Sequence, residues 1–99
     1  MADRRHYEVM LIADPRLDDT AIQQTVDRVM GVVTERGGEI QKTDHWGRRK
    51  LAFEIDHLTE GFYSLVDVEA EPSAMTELDR VLGLADEIKR HKIVRPGKE

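Results

Sequence analysis

The chain of 99 residues contains no cysteine and no asparagine. Without cysteine there is no disulfide framework, no thiolate metal site and no sulfur nucleophile, a composition that fits a reducing compartment. Aromatic residues are few, at 5%, with a single tryptophan. No apolar run approaches the ~20 residues of a membrane-spanning helix. The start, Met1-Ala2-Asp3-Arg4-Arg5, has no apolar signal core. The glycines at 31, 37, 38, 47, 61 and 83 never gather into a phosphate-cradling loop. His6, His45, His57 and His91 are scattered, with no close pair at metal-ligand spacing. Ser64 and Ser73 stand in no nucleophile-turn context. These gaps argue against an enzyme, a metal site and a cofactor. The expectation is a soluble intracellular domain with no membrane partner and no small-molecule substrate.

What is present is charge, at 35% of residues, and apolar residues, at 39%, arranged in patterned runs. The net charge of −5 excludes a uniformly basic nucleic-acid binder. It does not exclude a locally basic surface, because binding answers to the charge nearby. The length suits one domain over residues 1–99, with 96–99 as a frayed tail.

His6 to Ala13 reads as a strand whose continuous apolar centre, Val9-Met10-Leu11-Ile12, indicates cover on both faces. Asp14-Pro15 stops it, and Asp18 or Asp19 offers a helix N-cap. Ile22, Val26, Val29, Met30 and Val33 recur on one stripe and predict a helix over 19–36, closed by Gly37-Gly38. Glu39 to Trp46 reads as an edge strand that bulges at Gly47 and resumes to about residue 55. Asp56 to Gly61 is expected to be the hairpin loop, and Phe62 to Ala70 the third strand. Pro72 suits a first helical turn before Met75, Leu78, Val81 and Leu82, with Gly83 weakening or closing that helix. Ile88 to Arg95 is the last strand. The order strand, helix, strand, strand, helix, strand is the α+β, ferredoxin-like split βαβ pattern: a four-stranded antiparallel sheet with two helices on one face. The first and third strands then lie in the middle.

Positive charge comes in short groups: Arg4-Arg5, Arg48-Arg49-Lys50, Lys89-Arg90 with Lys92, and Arg95. With the first and last strands adjacent, these groups form a basic strip on one sheet border, which would attract phosphates with little sequence reading. The competing role is protection of sheet edges against aggregation. The third strand lacks the aromatic signature of an RNA-recognition motif, so shape and backbone contacts are favoured over stacked bases. If Val9, Leu11, Val66 and Val68 face the helices, then Met10, Ile12, Tyr63 and Leu65 face outward. So many adjacent apolar residues suggest a surface for a protein or an RNA partner.

Arg5-His6-Tyr7-Glu8-Val9-Met10, Asp14-Pro15-Arg16-Leu17-Asp18 and Trp46-Gly47-Arg48-Arg49-Lys50-Leu51-Ala52-Phe53 together resemble the bacterial small-subunit ribosomal protein S-six family. Gly61-Phe62-Tyr63 and Lys89-Arg90-His91-Lys92-Ile93-Val94-Arg95 fit it too, collinearly from about residue 4 to 95. The resemblance implies a ferredoxin-like fold, a cytoplasmic place in the ribosome and a non-enzymatic structural role. It implies binding to 16S ribosomal RNA in the central domain, on the platform, together with small-subunit protein S-eighteen. By position it makes Arg5, Arg49, Lys50, Lys89 and Arg90 the RNA contacts, with Arg4, Arg48, Lys92 and Arg95 as neighbours. Met10 and Ile12 become candidates for the protein interface. Glu54 stands where family members often have proline. Two other readings share the fold. One is a small ligand-binding regulatory domain. The other is an acylphosphate hydrolase, disfavoured because its water-orienting asparagine has no counterpart here.

Overall fold

The computed structural model describes residues 4–97. Its elements run β1 (Arg5–Ala13), α1 (Asp19–Glu35), β2 (Glu39–Ile55), β3 (Leu58–Ala70), α2 (Pro72–Leu84) and β4 (Ile88–Val94). The sheet order is β2-β3-β1-β4, and every neighbouring pair is antiparallel. This is the split βαβ arrangement expected from the pattern, with β1 and β3 central.

Period-two alternation sets the two faces of the sheet. Tyr7, Val9, Leu11 and Ala13 of β1 join Phe62, Val66, Val68 and Ala70 of β3 in one buried core. From above, α1 adds Ile22, Val26, Val29, Met30 and Val33, and α2 adds Ala74, Met75, Leu78 and Leu82. Helix α1 begins where Asp18 accepts a hydrogen bond from the Ala21 amide at 2.7 Å. It ends in a Schellman closure, Gly38 N–H to Val33 C=O at 2.9 Å and Gly37 N–H to Thr34 C=O at 3.1 Å. Pro72 opens α2 as expected. Gly83 does not close it: the helix runs one residue further, to Leu84, with Ala85 as its C-cap, and Gly83 costs it only helix propensity.

The β2–β3 hairpin differs from the expected one. Its loop is two residues, Asp56 and His57, rather than the stretch from Asp56 to Gly61, and Ile55 pairs with Leu58 across it. Both loop residues have positive φ, 51° and 65°, as a type I′ turn requires. Asp and His enter this region more readily than most residues, so no glycine is needed. Strand β3 therefore starts at Leu58, four residues earlier than Phe62, and β4 ends at Val94 rather than Arg95. Pro96 and Gly97 form a turn after it, and Lys98 and Glu99 of the expected tail lie outside the described residues.

At the end of β1, Arg16 grips Asp14 bidentately, at 2.9 Å from Nε and 2.7 Å from Nη2. The Asp14 amide also donates to the Glu87 carbonyl at 2.9 Å, tying β1 to the segment before β4. The Arg16 side-chain hydrogen bonds hold the Asp14 carboxyl at about 2, below its ordinary value of 3.8, against the opposing effect of burial. A depressed carboxyl stabilises the fold above its unfolded value and loses that stability as pH falls toward the folded value. Asp14→Asn should therefore flatten the fall in unfolding free energy between pH 4 and pH 2 by about 1–2 kcal/mol, solvent around exposed Arg16 screening part of the pair. Urea unfolding at both pH values checks this; an unchanged pH slope would refute it.

Candidate functional site

Register puts Met10, Ile12, Tyr63 and Leu65 on the face away from the helices, as the alternation indicated. That face is not flat. The distal part of the β2–β3 hairpin arches over the end of it, bringing Phe53 beneath the Arg90 guanidinium at 5.4 Å and Asp56 within 3.9 Å of Lys89 Nζ. Ile12 lies under this arch and is only 5% exposed, so it supports the surface rather than forming it. Met10, Tyr63 and Leu65 stay half-buried. Between arch and sheet runs a groove of about 420 Å³ lined by Met10, Ile12, Leu51, Phe53 and Tyr63, with Arg90 and Lys92 on its rim. A second trough of about 240 Å³ continues it past Met10, Leu65 and Val94.

The cations divide along the strands. Ile12 pairs with Arg90, and Ala13 with Phe62, which pairs with Arg48. Arg48, Arg49, Lys50, Lys89 and Arg90 therefore share one end of the sheet. Arg4 and Arg5 lie at the other, where Arg5 pairs with Ala70 and Arg4 reaches the Glu69 carbonyl at 3.3 Å and Glu39 at 3.6 Å. Eight residue steps along β1 separate Arg5 from Ala13, roughly 26 Å at strand rise. The expected single strip joining Arg5 to Lys89 and Arg90 is thus two groups. Arg95, just past the Val94–Glu8 pair, belongs with the Arg5 end, and Lys92 opposite Met10 lies between.

Pairing divides them further. Arg48 donates to the Pro15 and Leu17 carbonyls at 3.1 and 2.8 Å and to Asp19 at 2.7 Å, with its guanidinium 5.5 Å from the Phe62 ring centroid. It clamps the β1–α1 loop to β2, on the helix side. Lys89 is only 19% exposed and faces Asp56. Arg5 is half-buried and also engaged. Arg16, Arg28, Arg36, Lys42 and Arg80 each meet an acid. Among the described residues, Arg49, Lys50, Arg90, Lys92 and Arg95 have no carboxylate within 4.0 Å. Four of these five flank the groove or stand at its end of the sheet. A polyanion gains most from cations whose charge is not already neutralised.

Sequence reasoning passed over Trp46 and Phe53 as site residues. Both are exposed, at 49% and 63%. The signal for Trp46 was its place as the only tryptophan beside three consecutive cations. Among the described residues no helix is long and apolar enough to cross a membrane, and no group of three or more His, Cys, Asp or Glu could hold a metal ion.

This architecture has close counterparts. The family model described as Ribosomal protein S6 matches residues 6–95. The Salinispora tropica protein named small ribosomal subunit protein bS6 is 46% identical over 92 residues, spanning 93% of this chain and 96% of that relative. The protein of that name from Nocardia farcinica is 47% identical over 94 residues, spanning 95% and 99%. The crystal structure of 30S ribosomal protein S6 from Thermotoga maritima superposes with a TM-score of 0.87 at 31% identity, covering 94% of this chain and 88% of that one. The chain belongs to the ribosomal protein S6 family.

Proposed function

We propose that this chain is a non-enzymatic, structural constituent of the small ribosomal subunit, acting in the cytoplasm within the ribosome. In this reading it binds 16S ribosomal RNA in the central domain, on the platform, as a heterodimer with small-subunit protein S-eighteen. The names carried by its relatives support the ribosomal role. The observation that carries the RNA contact is the set of cations with no carboxylate within 4.0 Å, Arg49, Lys50, Arg90 and Lys92, in a chain whose other cations largely meet acids. The apolar trough beside them supports the protein contact, because a solvated sheet face would not hold Met10, Tyr63 and Leu65 side by side. On that same face Glu8 and Asp67 stand directly opposite each other. Like charges in that position repel; His6 lies 3.7 Å from Asp67 and Lys42 stands opposite it on β2, and a cation from a basic partner would add to that relief.

Filter binding of a central-domain RNA fragment tests the reading. Binding in the presence of the partner should fall steeply with salt as phosphate contacts give up their counterions. A flat salt dependence, or no retention with the partner present, counts against it. The protein face is tested separately. Leu65→Lys sets a charge between Met10 and Asp44 that the fold tolerates but a basic partner does not. It should weaken heterodimer formation about 10-fold or more, by calorimetric titration, with circular dichroism unchanged. Unaltered affinity would remove this face from the interface.

A further inference from the structure

The β2 bulge places an aromatic ring where the sheet has no structural use for it. The ladder slips between His45 and Gly47, and Gly47 takes φ +89°, which a side-chain-bearing residue holds only under strain. His45 stays in register with Ser64 and hydrogen-bonds it at 2.8 Å on the helix side. Trp46 is turned the other way and remains 49% exposed. Arg49 holds it there: its guanidinium lies 5.9 Å from the indole centroid, and Nη2 donates to the Trp46 carbonyl at 3.5 Å. Arg49 faces Gly61 across the ladder, so no opposing side chain competes for its position. Neither Arg49 nor Lys50 has a carboxylate within 4.0 Å among the described residues, although Glu60 stands opposite Lys50 on the ladder.

An exposed indole braced by a guanidinium, with free positive charge three and four residues away, has the makings of a base-stacking platform. The ring offers a π-face, and the cations offer contacts to the adjoining phosphate. A protein partner would need acidic groups here to satisfy Arg49 and Lys50, whereas an RNA brings phosphate with every nucleotide. We propose that Trp46, braced by Arg49, stacks against one unpaired base of the bound RNA. This rests on the RNA-binding reading above and refines it: the expectation of shape and backbone contacts alone came from β3, and the platform is on β2.

Trp46 is the only tryptophan in the chain, so a fluorotryptophan-labelled protein gives one fluorine resonance for this ring. The labelled full chain, with its partner, is titrated with the central-domain RNA fragment, and retention on filters is measured in parallel. The resonance should shift on RNA addition and stay put on partner addition. Trp46→Phe should keep affinity within about 3-fold, whereas Trp46→Leu should lose about 10-fold with the salt slope unchanged, since the cations remain. Arg49→Lys should weaken binding while keeping that slope. RNA retained with an unmoved resonance, or Trp46→Leu binding as the parent does, overturns the platform and leaves the RNA reading intact. A shift caused by the partner alone also overturns it, assigning the ring to a protein contact. Failure of the parent chain to retain RNA on filters refutes the underlying reading instead.

Discussion

Replacing Arg49, Lys50, Arg90 and Lys92 together by glutamine should lower affinity for the central-domain RNA by about 100-fold or more near physiological salt, and flatten the salt dependence by about 3 in the log–log slope. The slope follows from four phosphate contacts, each releasing somewhat less than one counterion. The control removes four different charges, Arg28, Arg36, Lys42 and Arg80, also by glutamine. Both variants have the same net charge, but the control cations already meet Glu87, Glu77 and Asp44. Removing an exposed, paired cation costs little stability; the Arg28, Arg36 and Arg80 pairs lie on or beside the helices, away from the proposed RNA, and only Lys42–Asp44 is on β2, just before Trp46. The control should bind within about 3-fold of the parent, with an unchanged slope. Equal losses in both variants would mean that total charge, not its arrangement, governs binding. Under the proposed reading, the comparison tests how a chain of net charge −5 would grip a polyanion: many of its acids meet cations that face elsewhere.

The fold was legible because each element carried its own local rule. The stripe from Ile22 to Val33, the Asp18 cap, Pro72 at a helix start and the Val9/Leu11 alternation all agree with the structure. The hairpin was misread because its turn has no glycine. Asp56-His57 lacks the usual Asn-Gly signal, and Gly61 drew the loop boundary toward itself. Gly61 serves another purpose, set by a contact distant in sequence. The cation clusters were legible as composition, but not their sorting. Nothing near Arg48 in sequence shows that Pro15, Leu17 and Asp19 will take up its donors. Likewise, only the strand register reveals that Arg5 and Lys89 stand at opposite ends of the sheet. Ile12 follows the same logic: alternation gave its direction, while its burial depends on an arch formed forty residues later.

Gly61→Ala should destabilise the protein by about 1–3 kcal/mol, although alanine is an ordinary residue in a strand. A Cβ at Gly61 would overlap Cγ2 of Ile12 and touch Leu51 Cδ2 at 3.6 Å. The Ile12 methyl cannot swing aside at low cost, because a β-branched side chain is stiff at χ1 and Ile12 is packed to 5% exposure. Relief has to come from the backbone, by lifting the hairpin arm off the sheet. That movement would loosen the Phe53–Arg90 and Asp56–Lys89 contacts and widen the groove under the arch. Destabilisation and weaker partner binding should therefore appear together. Ile12→Ala alone should cost about 2–4 kcal/mol through its cavity. In the double variant the new methyl enters the space the isoleucine vacated, so the combined cost should fall short of the sum by about 1 kcal/mol or more. Urea unfolding of the parent, both single variants and the double variant measures this coupling directly. Additive costs, within about 0.5 kcal/mol, would show that the bend of the hairpin does not depend on the close approach of Gly61 to Ile12.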